Sequence, residues 1–398
     1  MSIAPSNAPT SPKGSTSVPQ PQFKLDRMSF YWRTASRPLA TAEGIPDFLP
    51  FEFGYNPAYG LIVQKHDAGV SDALNHAYLQ AENVGYLQDG HALAASYGGD
   101  FLEFIGGSAP HGSRVLEIGC GGGYILQRLR EKGFAIRGID PSPIAVAKGK
   151  EHSIEIIEEF YPCDKDLTNS CDVMIHYDVL EHVYDPLAFL KAHHAQLSPG
   201  GMIAFAVPDC TESVEQGDLS MVIHEHINYF DMKSLRSLVE AAGFTVDKIE
   251  RAKHGGVLFC AARRGGAPVA AVEAGPEKFT GFIQRLQQSV ASFRRFSERS
   301  GGDLGIYIPL RAVPYLAAVD RHDGLRFFDD DPGCHRKYLA GYAVPVENFD
   351  DFLASPPSHL FIASLAFADR IKAKVRERLG DGMTIMTLRE LFPGQRPA

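Results

Sequence analysis

Two stretches of this chain carry residues whose types and spacing suit chemistry. The first is Glu117-x-Gly119-Cys120-Gly121-Gly122-Gly123, followed by Asp140. Glycine at four of five consecutive positions lets the backbone turn sharply and approach a ligand where a Cβ would clash. A carboxylate about twenty residues beyond such glycines is where a doubly wound fold grips a ribose diol. The second stretch is Met221-Val222-Ile223-His224-Glu225-His226-Ile227-Asn228-Tyr229-Phe230, which sets His, Glu and His side by side between aliphatic residues. Three chemistries are open to it. A metal site would use His224 and His226, but alternating residues project to opposite faces of a strand and no third ligand stands nearby. A solvated or salt-bridged loop is the second. In the third, an acid/base pair, a carboxylate fixes the tautomer of the neighbouring imidazole and keeps it basic near neutral pH.

The elements that must position these residues alternate between strand and helix. The apolar run Val115, Leu116, Ile118 reads as a strand buried on both faces. The spacing predicts a helix over 124–132, with Ile125, Leu126 and Leu129 on one face, and a strand over 135–139 that ends at Asp140. A helix over 143–151, a weak strand over 154–157 and a strand over 171–177 follow, the last ending in Asp178-Val179-Leu180-Glu181-His182-Val183. A helix over 187–196, a turn at Pro199-Gly200-Gly201 and strands over 202–207 and 257–262 complete the pattern. Such alternation specifies a parallel sheet.

Two cofactor classes fit this geometry. The dinucleotide fingerprint wants a third glycine where this chain has Tyr124, and does not require an acid where it has Glu117. Glu-x-Gly-x-Gly-x-Gly with a strand-end Asp resembles motif I and its partner acid in the class I S-adenosylmethionine methyltransferases. The resemblance implies that Glu117, Gly119, Cys120, Gly121, Gly123, Asp140, Pro141 and Tyr177 line the cofactor. The glycines would face its amino-acid part and Asp140 would hold both ribose hydroxyls. It also implies a lid carrying Tyr78, Asn83 and Tyr86, for which plain aromatic packing is the alternative. Asp-Val-Leu-Glu-His is similar to the end of strand four in many small-molecule methyltransferases, so that His182 faces the mouth of the site; a capping role is the alternative.

His-Glu-His-Ile-Asn-Tyr-Phe, with Ser234-Leu235 and Ala242-Gly243-Phe244, resembles the nucleotide-sugar C-methyltransferase family. That family has an amino-terminal segment, a methyltransferase core and a second Rossmann-like domain. The resemblance implies that Glu225, His226 and His182 assist proton removal beside a ketone, with His224 a further catalytic residue and Tyr229 a substrate-binding one in the same motif. There are departures. The family's amino-terminal zinc cysteines are absent, Ile223 replaces its usual Tyr, and Ile308-Pro309-Leu310-Arg311-Ala312 replaces its carboxyl-terminal glycine turn. A missing phenol leaves methylation of oxygen or nitrogen open. Without the glycine turn, a diphosphate would rely on side chains from among Arg311, Arg321, His335, Arg336 and Lys337, and exposed charges on a scaffold are the alternative.

The 398 residues exceed one typical core. A formal charge of −9 argues against a nucleic-acid substrate. No apolar run is long enough to span a membrane. Six cysteines without a Cys-x-x-Cys pair remove a zinc ribbon and a disulfide framework, and free thiols suit a cytoplasmic enzyme. The expected organisation is a disordered tail over 1–22, an aromatic-rich amino-terminal lid segment over 23–112, the core over 113–264, a linker over 265–276 and a carboxyl-terminal α/β domain over 277–398. Helices are expected over 72–86, 97–105, 279–300 and 367–379, and strands over 304–308, 317–320, 344–346, 360–364 and 383–386.

The fold expected is therefore α/β: a Rossmann-like class I methyltransferase core with a lid segment and a second, smaller Rossmann-like carboxyl-terminal domain. The expected activity is transfer of a methyl group from S-adenosylmethionine, leaving S-adenosylhomocysteine, to a small polar acceptor such as a sugar nucleotide. No metal, nucleic acid or membrane partner is expected. A nicotinamide-dependent oxidoreductase and a non-catalytic binding protein are the rival readings.

Overall fold

The computed structural model describes residues 22–30, 34–36, 46–80, 92–266, 269 and 274–392. Tyr86 and Asn83 lie outside them, as do residues 1–21 and part of the expected linker.

The amino-terminal part contributes β1 (Lys24–Ser29), β2 (Thr34–Ala35), β3 (Phe48–Asn56), β4 (Leu61–Gln64), α1 (Ala68–Gln80) and α2 (Ala92–Ser108). The core contributes β5 (Arg114–Ile118), α3 (Tyr124–Glu131), β6 (Ala135–Ile139), α4 (Pro143–Glu151), β7 (Ile156–Ile157), β8 (Cys171–Tyr177), α5 (Pro186–Gln196), β9 (Leu197–Pro208), α6 (Thr211–Gln216), β10 (Asn228–Tyr229), α7 (Met232–Ala241), β11 (Phe244–Arg251) and β12 (Val257–Arg264). Local signals account for the helix starts: Ser142 caps α4 ahead of Pro143, and Asp185 caps α5 ahead of Pro186.

The core sheet has the order β11-β12-β9-β8-β5-β6-β7. Every neighbouring pair is parallel except those made by β12, which runs antiparallel to both β9 and β11. From β5 the chain winds outward to β7, then returns to build β8 and β9 on the other side. The switch therefore lies between β5 and β8, and a ligand belongs in the crevice at the carboxyl ends of those strands. The inserted antiparallel strand departs from the all-parallel dinucleotide-binding order. β11, which the sequence analysis did not foresee, is an edge strand whose polar Thr245, Asp247, Lys248 and Glu250 interrupt its apolar residues.

The carboxyl-terminal unit contains α8 (Glu277–Arg299), β13 (Leu304–Tyr307), α9 (Pro309–Ala318), β14 (Leu325–Phe328), β15 (Tyr338–Leu339), β16 (Val346–Glu347), α10 (Phe349–Ala354), β17 (His359–Ile362), α11 (Ala368–Leu379) and β18 (Thr384–Thr387). Its parallel sheet has the order β16-β14-β13-β17-β18. Residues 317–320, expected as a strand, instead finish α9 and turn at Asp320; a short run of Ala and Val does not distinguish the two states, and Pro309 starts a helix that carries through it. The buried face of α8 joins Phe51 and Phe53 of β3 to Ile306 and Phe361 of this sheet in one hydrophobic cluster. β1, β3, β4 and β10 form an antiparallel sheet, so the amino-terminal strands pair with the loop that follows α6. Among the described residues no helix is long and apolar enough to cross a membrane.

Candidate active site

The glycine turn leaves β5 with Gly119, Gly121 and Gly123 at φ 67°, 49° and 78°, a region that costs other residues about 1–2 kcal/mol. A Cβ on Gly119 would lie 2.8 Å from Val179 Cγ2, and one on Gly123 2.9 Å from Ile154 Cδ1. These two glycines are thus required by the protein's own packing. Asp140, at the end of β6, accepts Gly121 N–H and Ser142 N–H at 2.9 Å each, one on either carboxylate oxygen. Burial raises its pKa, and those two amides oppose the shift. The Cys120 side chain turns inward onto Leu126 and Ile154, so only its backbone can face a ligand. Glu117 is buried in β5 with Oε2 unpartnered, and burial, then Asp140, holds its carboxyl well above the usual range. Pro141 follows Asp140 half-buried, and Tyr177 packs its ring edge-on against Phe101 of α2.

The second part of the site is made where two loops are stitched together. Beyond β8, Asp178 takes φ 53° and the chain makes a 3-10 turn at Leu180–His182. Four hydrogen bonds join that turn and Val183 to residues 225–228: Ile227 N–H to Glu181 O at 2.7 Å, His182 Nδ1–H to Glu225 O at 2.7 Å, and Asn228 Nδ2 to Leu180 O at 3.2 Å and Val183 O at 2.7 Å. A carbonyl only accepts, so the Glu225 bond puts the hydrogen of neutral His182 on Nδ1 and leaves the lone pair on Nε2. The His182 and His226 rings stand edge to face with centroids 5.1 Å apart. Burial keeps both below the ordinary histidine pKa, opposed at His182 by Glu225 and reinforced at His226 by His182 and Arg311. Two neutral imidazoles therefore face each other at neutral pH. The ring of His226 makes no hydrogen bond among the described residues.

His224 and Tyr229 do not join this group. Residues 222–227 form a turn rather than a strand, and His224 is buried between Phe30 and Phe51, with Nε2 facing the carbonyls of Leu49 and Pro50 at 3.3 and 3.2 Å. Tyr229 is 1% exposed, packed edge-on against Phe51 and Phe53, which leaves it no face for a substrate. Both belong to the core that holds the loop in place. In the carboxyl-terminal unit, Arg321 bonds Ser297, Asp323 and Gly324, His335 bonds Asp329 O, and Arg336 pairs with Asp351. Lys337 lies beside the edge strand β16, where its carbonyl accepts Val346 N–H, and among the described residues no hydrogen bond or ion pair joins its side chain to the histidine group. Arg311 is different. It is exposed in the first turn of α9, its guanidinium has no hydrogen bond or ion pair among the described residues, and its charge reaches His226. The helix that carries it is docked on the loop by Tyr315, whose hydroxyl accepts Leu219 N–H at 3.0 Å and donates to Asp218 at 3.2 Å.

Sequence reasoning quoted Asp178 and Glu181 without giving them a role. Glu181 is fully buried, and Glu181, His182 and His226 each present one nitrogen or oxygen within 4.8 Å of the others. Burial pushes both acids well up, and their like charges add to the effect at Glu181. The signal was the acid–x–x–acid spacing just past an apolar strand.

Residues 89–249 match the family model described as a methyltransferase domain. The core is a class I methyltransferase domain. An O-methyltransferase of ubiquinone biosynthesis from Idiomarina loihiensis is 32% identical over 29% of this chain and 50% of its own length. The C-methyltransferase NovU from Streptomyces niveus is 24% identical over 68% of this chain and 71% of its own. Among solved structures, the 1,6-didemethyltoxoflavin-N1-methyltransferase of Burkholderia thailandensis, with S-adenosylhomocysteine bound, aligns at TM-score 0.38 and 16% identity over 54% of this chain and 99% of that one. The chain spans about half the length, or less, of the first curated relatives it matches.

The cofactor of this domain class is S-adenosylmethionine, and the residues present fit it. A carboxylate has about four lone-pair sites. Asp140 gives one on each oxygen to a backbone amide, which fixes it at the switch point and leaves capacity for a ribose diol. Tyr124, where a dinucleotide site would have glycine, packs toward Gly98 of α2.

Proposed function

We propose that the protein transfers the methyl group of S-adenosylmethionine to a small polar acceptor, a nucleotide-linked or otherwise activated sugar. One observation carries the reading: His182 and His226, both neutral, meet beside the carboxyl ends of β5 and β8, where the fold places ligands. Asp140, the turn from Gly119 to Gly123 and Glu117 would hold the cofactor, which supplies an electrophilic methyl group on sulfur.

The chain's own residues do the rest. His226, with no hydrogen bond to its ring among the described residues, accepts the acceptor's proton as the methyl is taken up. His182 flanks it in a tautomer fixed by Glu225 O. General-base assistance of this kind contributes about 100- to 10,000-fold. Arg311 supplies a planar donor fork that suits a phosphate on the acceptor. A relative named as a C-methyltransferase, matched over most of its length, supports carbon as the methylated atom. Ile223, which offers no phenol, supports oxygen instead; a neutral imidazole serves either.

Incubation with S-adenosylmethionine carrying an isotope-labelled methyl group and a panel of sugar nucleotides, read by mass spectrometry, tests the proposal. Label on one or more sugars, lost with His226→Ala, is expected. Unlabelled sugars throughout, with label on a non-sugar acceptor, would refute the acceptor class.

A further inference from the structure

We infer that Glu181 is a positioning residue that shares a single proton with His182 and thereby keeps the charge beside His226 at zero. The inference deepens the acid/base reading above and rests on it. Glu181 is fully buried and neither carboxylate oxygen has a hydrogen-bond partner among the described residues. An ionised carboxylate so placed is costly unless a donor or cation faces it. The group facing it is His182, with Nε2 3.7 Å from Oε1. The other nitrogen of that ring holds its hydrogen against Glu225 O at 2.7 Å. The proton that comes and goes on His182 is therefore the one on Nε2, the nitrogen that lies 3.7 Å from Glu181.

One proton balances the charge of the pair in either of two arrangements: a carboxylic acid facing the Nε2 lone pair, or a carboxylate facing an imidazolium N–H. Both carry no net charge. The surroundings choose between them. Asp178, on the same turn, pushes the proton toward Glu181 by like-charge repulsion. Tyr177 and Cys210, also within electrostatic reach, are held protonated by burial. From the facing loop Glu225 favours charge on His182, and from α9 Arg311 disfavours charge on His226. With the proton on Glu181, His182 stays neutral and adds no like charge against His226. When His226 takes a proton from the acceptor, the resulting cation faces an uncharged ring rather than a second imidazolium, and no further proton enters or leaves. Glu181 touches neither acceptor nor cofactor in this scheme; it acts through His182.

Histidine-labelled full-length protein, followed by nitrogen NMR across the acid-to-alkaline range, tests the pair directly. His182 should keep Nδ1 protonated and respond in two steps at Nε2 as the pair gains its first and second protons. Glu181→Gln should reduce this to one step, shift the acid limb of the pH–rate profile and lower kcat about tenfold or more, with cofactor affinity and melting temperature unchanged. A single step in the wild type, the same as in Glu181→Gln, would overturn the inference. So would one equivalent of a divalent metal in the purified protein, released by a chelator and absent from the variant, since the three groups would then be its ligands. The two-step response in the wild type is readable even where the variant does not fold. It also does not depend on methyl transfer: a two-step response in a protein that methylates nothing would sink the function and leave the pair.

Discussion

The imidazole of His182 donates from Nδ1 to the backbone carbonyl of Glu225 across 2.7 Å. The main chain of Glu225 thereby fixes the tautomer of His182. This bond ties the turn after β8 to the loop before β10, residues 43 apart in sequence, and places His182 against His226.

His226→Ala should lower kcat by about 100- to 10,000-fold while leaving the affinity for S-adenosylmethionine within about threefold of wild type. Steady-state kinetics beside calorimetric titration of the cofactor check this. Equal losses in both would give His226 a structural role only.

Asp140→Ala should act in the opposite sense. It removes the acceptors of Gly121 N–H and Ser142 N–H and the proposed diol contact, so cofactor affinity should fall about tenfold or more and the melting temperature should drop, each orphaned amide costing about 1–3 kcal/mol. Titration and thermal melts measure the two effects. Unchanged affinity in a destabilised variant would assign Asp140 to the turn alone.

Asn228→Ala tests the stitching. Its side chain holds Leu180 O, which is buried, and Val183 O, which is partly buried, and loss of the partner to the buried carbonyl costs about 1–3 kcal/mol. A drop in kcat with cofactor affinity retained is expected, together with faster amide exchange over residues 180–183. Full activity would show that the turn keeps its place without it.

How much of this was legible in the sequence depends on how local the cause is. The glycine turn, Asp140 and the helix starting at Pro143 are written in adjacent residues, because a sharp turn, a strand-end acid and a Ser-Pro helix start each work within a few positions. His224 and Tyr229 misled because a stretch of alternating polar and apolar residues suggests a strand, whereas this one turns and sends His224 into a pocket made by Phe30 and Phe51. Glu181 carried no signal of its own burial; that comes from Ile227 and Asn228 closing over the turn, a contact no local pattern reveals. The strand misplaced at 317–320 and the unforeseen β11 are tertiary outcomes of the same kind.

Arg311→Ala should raise KM for a phosphate-bearing acceptor about tenfold or more, the loss of a charge-assisted hydrogen bond being about 1.5–3 kcal/mol, with a smaller change in kcat. Arg311→Lys should recover part of the loss. Comparison of acceptors with and without the phosphate group decides whether the guanidinium reads that charge, and an equal effect on both would rule it out.

His224 is pulled down to about 4 by burial from an ordinary 6.5. A histidine held neutral in the fold binds fewer protons than the unfolded chain below pH 6.5, so it destabilises the protein as pH falls from there toward 4 and no further below. At 1.36 kcal/mol per pH unit the ceiling is about 3 kcal/mol. Denaturant unfolding of wild type and His224→Gln at several pH values should show the variant losing less stability over that window; parallel curves would contradict the burial of a neutral ring.

The position of the cofactor relative to the histidines decides whether they can take part in methyl transfer. A crystal structure of the protein with S-adenosylhomocysteine measures it. The prediction is a ribose diol on the Asp140 carboxylate, the amino-acid part along Gly119–Gly123, and the sulfur facing the cleft beside His226. A ribose bound elsewhere, or a sulfur turned away from His226 with side chains between them, would contradict it.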